Sequence, residues 1–269
     1  MALNHWLLLR LGRLSTKAAP DLHWPEGYDR LILDEVDSTM TEASRRAGLL
    51  DRPTWIMARH QTAGRGRRGR PWSDPSGNLA ATLIFRPEAT PAEAALRSFL
   101  AANALFEALA IYVDHNKLAQ KWPNDVLLDG RKVAGILLES AGQGPFVNWL
   151  SIGIGVNLRH SPATDQNAAF APIDLVSAGG EHVAPEVFLT TLASAYATQE
   201  RKLTRFGFER IRSDWLRNAA RLGEELTADT GKEKVTGLFD TVDADGNLVL
   251  ITATGPRRIA AADVYFQGG

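Results

Sequence analysis

Residues 59–72, which read RHQTAGRGRRGRPW, combine the residue types that could bind an anionic ligand. From Gly64 to Arg70 the chain carries three glycines and four arginines, and Pro71 and Trp72 follow. Glycine lets a backbone approach a ligand closely, and arginine offers a fixed positive charge with a planar, two-pronged hydrogen-bonding group. The segment suits a ligand that carries both a phosphate and a flat ring. A solvated basic turn is the alternative for any short arginine-rich run.

The context of this loop excludes two common nucleotide-binding motifs. Residues 64–69 fit GxGxxG, but a dinucleotide fingerprint must open a helix, and here Pro71 and the turn-forming sequence SDPSGN follow. The loop also lacks the Gly-Lys-Ser/Thr ending of a phosphate-binding P-loop. What remains is a cationic loop that closes over an anionic ligand, and we expect it to be mobile when empty.

A second candidate group lies on a predicted hairpin. Apolar runs flank Asp129 and Gly130, a pair typical of tight turns, and this places Lys132 near Asn124 and Asp125. A lysine among apolar neighbours is costly to bury unless it serves an anion. A hairpin-edge lysine that points to water is the alternative, and the neighbouring Asn and Asp could equally cap the turn.

Two shorter patterns add to these groups. Residues 37–39 (DST) precede a predicted helix whose residues 39–42 (TMTE) match a capping box, and hydroxyl groups at a helix N-terminus cap it, bind an anion, or do both. In residues 147–158, Gly153 and Gly155 alternate with apolar residues, so one face of that strand lacks side chains. Such a face indicates close approach of a ligand or another backbone, or alternatively a barrel corner or a bulge.

Composition excludes several classes of function. The 269 residues have a net charge of −1 and are 45% hydrophobic, which is typical of an ordinary globular protein and argues against a nucleic-acid binder. The absence of cysteine excludes disulfides, thiolate metal sites and thiol nucleophiles, and no pair of the six histidines has metal-ligand spacing, so we expect no resident metal. Because no apolar run approaches the length of a membrane span, a soluble cytoplasmic protein without membrane contact is expected.

The pattern of elements predicts one large domain followed by a small one. Strands are predicted at 30–36, 54–60, 79–85 and 147–158 around the hairpin, and helices at 39–48, 91–112, 185–206 and 209–220. From residue 222, short strands alternate with turns, which predicts a small all-β barrel packed directly on the larger domain. We therefore divide the chain into a lead-in at 1–28, a main domain at 29–220 and a barrel at 221–269.

Four segments, DEVDST, RHQTAGRGRRGRPW, KWPND…GRKVAGILLE and IGIGVNL, resemble biotin–protein ligases in both order and spacing. The resemblance covers residues 28–160, and the C-terminal region ending in DVYF is similar to the SH3-like domain of that family. It implies an α+β fold: a mixed, largely antiparallel sheet with helices, as in a biotin/lipoate ligase-like catalytic domain, plus a small C-terminal SH3-like β-barrel. Longer relatives carry an N-terminal DNA-binding domain, and only about 28 residues precede Arg30 here, so we expect no DNA binding.

The resemblance also implies a two-step reaction with biotin and ATP as substrates and Mg²⁺ arriving with ATP. The biotin carboxylate attacks the α-phosphate and gives biotinyl-5′-AMP, and a lysine of a biotin carboxyl carrier protein or domain, from acetyl-CoA carboxylase or a related carboxylase, then attacks the mixed anhydride. No covalent enzyme intermediate is needed, which agrees with the absence of cysteine. The resemblance leaves room for a homodimer. A lipoate–protein ligase of the same fold and a nucleic-acid-binding module are the alternative functions.

Matching the family's motifs assigns roles to individual residues. Lys132 and Arg67 would be catalytic and neutralise charge at the α-phosphate. The biotin site would comprise Ser38, Thr39, Met40, Gln61, Arg65, Gly66, Arg67, Lys132, Gly135 and Gly153. The ATP and adenylate site would comprise Arg65, Arg67, Arg70, Trp72, Asn124, Asp125, Lys132 and Asn157. The family usually has asparagine where this chain has Met40, so a polar contact there is lost or is made by the backbone.

Overall fold

A computed structural model of the protein describes residues 23–163 and 170–266, which form a large mixed sheet, a small antiparallel sheet, four α-helices and two 3-10 helices of one turn each, at Arg67–Gly69 and His115–Lys117. The large sheet has the strand order β1-β2-β3-β7-β6-β5-β4 and consists of β1 (Asp29–Val36), β2 (Thr54–Gln61), β3 (Leu79–Phe85), β4 (Leu118–Lys121), β5 (Asp125–Leu128), β6 (Arg131–Ala141) and β7 (Trp149–Val156). The small sheet has the order β11-β10-β9-β8-β12 and consists of β8 (Glu225–Asp229), β9 (Lys234–Val242), β10 (Leu248–Thr252), β11 (Gly255–Ile259) and β12 (Asp263–Phe266). The helices are α1 (Thr39–Arg46), α2 (Pro91–Ala95), α3 (Arg97–Leu109) and α4 (Pro185–Leu216).

The large sheet is antiparallel except for one pair of strands. Strands β1 and β2 run parallel because α1 crosses between them, and every other pair in this sheet is antiparallel. The hairpin between β5 and β6 turns at Asp129 (φ +49°) and Gly130 (φ +71°), the left-handed pair that a two-residue hairpin turn requires. The predicted hairpin and the predicted α+β fold are therefore confirmed.

The two faces of the large sheet have different partners. Apolar residues on one face, such as Trp55, Leu83 and Ile152, join the main core together with residues of α3 and α4. The opposite face is covered in part by α1, which packs on Ile56 and Ile84. We call this second face, which also carries the glycines of β6 and β7, the site face.

The small sheet packs directly on the large domain, as predicted. Trp122 donates a hydrogen bond from Nε1 to the carbonyl oxygen of Gly246 (3.1 Å), and Gly246 lies against Phe99 of α3. Within the described residues, no helix combines the length and apolar character needed to cross a membrane.

Several predicted boundaries are wrong for local reasons. The helix predicted at 91–112 divides into α2 and α3 at Leu96, and the two helices predicted between 185 and 220 are one helix, α4, with an interruption at Gly207, whose φ is +72°. Strand β12 is an additional element. Residues 1–22 of the predicted lead-in, and residues 164–169 and 267–269, lie outside the described part of the chain.

Candidate functional site

The site face has a floor without side chains. Gly135 of β6 and Gly155 of β7 are direct partners in the sheet, and Gly153 pairs with Thr82 on the other side of β7. A Cβ atom on Gly155 would lie only 2.3 Å from the indole of Trp72, and one on Gly153 would lie 2.7 Å from Met40 Sδ. The pairing of β7 has no bulge, so these glycines are explained by the close approach of two side chains.

One end of this floor is polar and buried. Thr39 donates from its backbone N–H (2.8 Å) and its hydroxyl (3.1 Å) to Oε1 of Gln61, and Thr82 donates its hydroxyl to Thr39 Oγ1 (2.8 Å). Ser38 and Thr39 are both only 3% exposed. The Oε1 atom of Gln61 is thus occupied, and the Gln61 side chain also donates one N–H of its Nε2 group to Asp74. The second N–H of that group and one lone pair of Thr39 Oγ1 remain for a ligand.

The capping box predicted at residues 39–42 is absent. Helix α1 has Ser38 at its N-cap position, and no side chain caps it. The reason is that the Thr39 hydroxyl binds Gln61 instead of the backbone, and Glu42 pairs with Arg46. The box predicted at Thr90 is present in full.

The other end of the floor is cationic and is organised by one buried carboxylate. Asp125 Oδ1 lies 2.7 Å from Lys132 Nζ, and its Oδ2 lies 3.3 Å from Lys121 Nζ. Burial alone would raise the pKa of Asp125, but the two lysines hold it below its ordinary value; burial lowers the pKa of Lys121. The Lys121 side chain is 6% exposed and that of Lys132 is 32% exposed, so Lys132 faces the site and Lys121 supports it.

Arg67 joins this cationic end from the loop. It donates to Asn124 Oδ1 (3.1 Å), and Asn124 is itself fixed by donating to the carbonyl oxygen of Ile136 (2.6 Å). Among the described side chains, no carboxylate forms an ion pair with Arg67, and burial lowers the pKa of its guanidinium. Arg67 and the two lysines carry three positive charges against the single negative charge of Asp125, so two positive charges are available to an anionic ligand.

The other arginines of the loop have carboxylate partners. Arg65 binds Glu139 of β6 through both terminal nitrogens, and Arg68 (2.7 Å) and Arg70 (2.8 Å) share Asp263 Oδ2 of β12. Arg70, which was predicted to contact ATP, therefore lies on the small sheet. These ion pairs attach the loop to β6 and to the small sheet, while residues 68–71 at its outer side are exposed.

The remaining predicted residues lie around the same face. Trp72 rests on Gly155 with the Lys132 amino group 5.8 Å from its ring centroid. Gly66 donates its N–H to Arg70 O (2.7 Å) within the loop. Asn157 is buried beside the cationic end, donates to Ile173 O and leaves its own Oδ1 without a partner in the described part of the chain.

Sequence reasoning missed several residues at this site. Lys121 stands four residues before Asp125 and, across the short β4–β5 hairpin, pairs with it directly. Glu139 follows Gly135 at even spacing on β6, and period-two counting would have placed it on the site face. Asp74 is buried next to Gln61. Burial raises the pKa of Asp74 to about 6, although hydrogen bonds from the backbone and side-chain N–H groups of Gln61 act in the opposite direction. No sequence pattern around Asp263 indicated a role at this site.

Within 23–163 and 170–266, no three His, Cys, Asp or Glu side chains are grouped to hold a metal ion.

Comparisons with known proteins identify the family. The model described as "Biotin/lipoate A/B protein ligase family" matches residues 32–157, and that described as "Biotin protein ligase C terminal domain" matches residues 222–267. The biotin–[acetyl-CoA-carboxylase] ligase of Paracoccus denitrificans is 46% identical over 240 residues, which cover 88% of this chain and 100% of that relative. The bifunctional ligase/repressor BirA of Bacillus subtilis is 31% identical over 218 residues, 78% of this chain and 65% of that protein.

A solved structure supports the same fold. The biotin protein ligase from Aquifex aeolicus, in complex with biotin and ATP, superposes with a TM-score of 0.73 at 24% identity, over 88% of this chain and 97% of that one. At this identity the likeness concerns the fold. Together with the full-length match to the Paracoccus enzyme, it shows that the chain belongs to the biotin/lipoate protein ligase family.

Proposed function

We propose that this protein is an ATP-dependent biotin–protein ligase, which forms biotinyl-5′-AMP and transfers biotin to a lysine of a carboxylase's biotin carboxyl carrier domain. One observation carries the proposal: Arg67 and Lys132 meet at one end of a glycine floor whose other end presents Thr39 and Gln61. The two ends are about two residues apart along β7, or about 7 Å. The polar groups at one end and the positive charges at the other complement a ligand that has a polar ring system at one end and an acidic group at the other.

The polar end complements the head group of biotin. A ureido group has two N–H donors and one carbonyl acceptor. The free lone pair of Thr39 Oγ1 accepts one N–H, and the Nε2 group of Gln61 or the hydroxyl of Ser38 donates to the carbonyl. Met40 supplies an apolar surface over Gly153 where the family usually has a polar side chain.

The cationic end serves the first reaction. A carboxylate oxygen of biotin attacks the α-phosphorus of ATP, the bond from that phosphorus to the bridging oxygen of pyrophosphate breaks, and pyrophosphate leaves with Mg²⁺, which enters as part of the ATP substrate. Arg67 and Lys132 bring two anions together and stabilise the charge at the phosphate. Lys132 can turn from Asp125 toward the phosphate at little cost, because Lys121 still neutralises that carboxylate.

The second reaction transfers the biotinyl group. The ε-amino nitrogen of the acceptor lysine attacks the carbonyl carbon of the mixed anhydride, the carbon–oxygen bond to AMP breaks, and the amine loses a proton to solvent. The Paracoccus relative is named for acetyl-CoA carboxylase, and we propose an acceptor domain of that kind. A homodimer, a cytoplasmic location and the lack of DNA binding stay predictions; a gel-shift assay with operator DNA tests the last of them.

Mass spectrometry of the products tests the proposal. Incubated with Mg-ATP and an equimolar mixture of biotin and lipoate, the protein should form biotinyl-AMP. Lys132→Ala should reduce the rate of adenylation by about 10²–10³-fold, and Arg67→Gly should loosen the bound intermediate. Lys234→Ala, which removes a lysine whose side chain is 73% exposed on β9, is the matched control. Lipoyl-AMP without biotinyl-AMP, or a Lys132→Ala enzyme of nearly full activity, would overturn the proposal. The lipoate alternative is not favoured, because the relatives reported above are named for biotin or for a bifunctional ligase/repressor.

A further inference from the structure

Glu139 lies on the site face but has no role in the reaction described above. On β6 it follows Gly135 and Leu137 at even spacing and pairs with Ser151 of β7. Its carboxylate accepts from both terminal nitrogens of Arg65, one of them at 3.0 Å. The two side chains are about one-third exposed (33% and 34%), so the pair closes over the end of the site face at the boundary with solvent.

This pairing changes what Arg65 can contribute. Glu139 neutralises the guanidinium and raises the pKa of Arg65, and Asp37 adds a further negative charge nearby. Arg65 therefore brings no excess positive charge to a ligand, whereas Arg67 does. The two-pronged geometry of the pair fixes the direction of the Arg65 side chain as well as its distance.

Fixing Arg65 fixes the loop, because the loop is closed at its base. The backbone N–H of Trp72 donates to the carbonyl oxygen of Gly64 (2.9 Å), and the backbone N–H of Gly66 donates to the carbonyl oxygen of Arg70 (2.7 Å). Arg65 lies between these two hydrogen bonds and pairs with Pro71. The base of the loop thus moves as one unit, with Arg67 at its tip.

We propose that Glu139 is a positioning residue: by holding Arg65 it fastens the base of the 64–72 loop to β6 and so places Arg67 against the phosphate and Trp72 on the glycine floor. This inference rests on the proposed ligase function for its kinetic consequences. The competing outcome is that Arg65 leaves Glu139 when substrate binds and itself contacts the substrate.

The test compares Glu139→Gln, Arg65→Met and the double variant. If Glu139 positions the loop, each single variant should raise the KM for biotin and ATP and shorten the half-life of bound biotinyl-AMP by about tenfold, with kcat changed less than about threefold. The double variant should be no worse than either single variant, since both break the same contact. Glu233→Gln is the matched control, because it breaks an Arg–Glu pair of the small sheet (Arg257 Nη2 to Glu233 Oε1, 2.6 Å).

A second measurement needs no substrate. Trypsin should cleave the ligand-free Glu139→Gln protein within residues 65–70 about tenfold faster than the wild type or the Glu233→Gln control. If wild-type protein forms no biotinyl-AMP, the proposed function fails, and this cleavage rate alone decides whether Glu139 fastens the loop. Wild-type cleavage and kinetics in Glu139→Gln would overturn the inference. So would an Arg65→Met variant that loses far more activity than Glu139→Gln, with additive effects in the double variant.

Discussion

The buried carboxylate of Asp125 offers a quantitative test of how the cationic end is built. Asp125→Asn keeps the shape of the side chain and removes its charge. Lys132 can then turn to water because its side chain is 32% exposed, but Lys121, 6% exposed, is left as a buried cation without a carboxylate. Removing one partner of a buried ion pair costs about 3–5 kcal/mol. For a chain of this size, that lowers the melting temperature by roughly 10 °C.

The cost should also depend on pH, with a defined sign. Burial already lowers the pKa of Lys121 below its unfolded value, and loss of Asp125 lowers it further. Between the folded and unfolded pKa values, unfolding takes up a proton, so stability falls as the pH falls, by up to about 1.4 kcal/mol per pH unit. The destabilisation by Asp125→Asn should therefore be larger at pH 7 than at pH 9.5.

Chemical denaturation followed by tryptophan fluorescence at both pH values measures this effect. Adding Lys121→Met to Asp125→Asn removes the orphaned charge and should recover most of the lost stability. The matched control is Asp129→Asn, because Asp129 pairs with Lys117 on the same hairpin at 3.6 Å with both side chains 41% exposed, and its loss should cost less than about 1 kcal/mol. An Asp125→Asn variant whose free energy of unfolding at pH 7 lies within about 1 kcal/mol of wild type, or a double variant as unstable as the single one, would contradict this role of Asp125.

Two further predictions concern carboxylates around the loop. Asp263→Asn removes the group that two exposed loop arginines share; we expect the KM for ATP to rise by about fivefold to tenfold with little change in melting temperature, and an unchanged KM in steady-state kinetics would contradict this. Asp74 has a pKa raised by burial to about 6, from 3.8, so its ionisation in the folded state removes up to about 3 kcal/mol of stability as the pH rises from about 4 to about 6. Asp74→Asn should therefore gain stability relative to wild type at pH 7.5 and much less at pH 4.5 in denaturant unfolding, whereas the exposed control Asp51→Asn should show no such difference.

The sequence predicted the elements whose signals are local. Asp129 and Gly130 specify their turn by backbone conformation alone, and the Thr90 capping box needs only four residues, so both are readable without tertiary structure. The prediction of a capping box at Thr39 was wrong because the Thr39 hydroxyl hydrogen-bonds to Gln61, 22 residues away along the chain, instead of to the backbone of α1. Local propensity cannot register a competitor that only the fold brings near.

The partners of the loop arginines were unpredictable for the same reason. All four arginines are equivalent by composition, yet Glu139 binds Arg65 from 74 residues away and Asp263 binds Arg68 from 195 residues away. The register of β6 against β7 and the docking of the small sheet decide these pairs. The family resemblance had already named Arg67, and the tertiary structure adds a physical reason: among the described residues, the other three loop arginines pair with carboxylates and Arg67 does not.

Strand β12 contacts both the loop that carries Arg67 and the aromatic residue that covers Lys121. At its start, Asp263 holds the loop, and at its end the ring of Phe266 meets that of Phe170 edge to face, with centroids 4.7 Å apart. Phe170 in turn lies 4.8 Å from Lys121 Nζ, so it covers the lysine that supports the Asp125–Lys132 pair. Without β12, Arg68 and Arg70 would lose the carboxylate that they share, and Phe170, which covers Lys121, would lose its contact with Phe266. The candidate site therefore depends on residues from both the large domain and the small sheet, because both contribute charged or covering side chains around the cationic end.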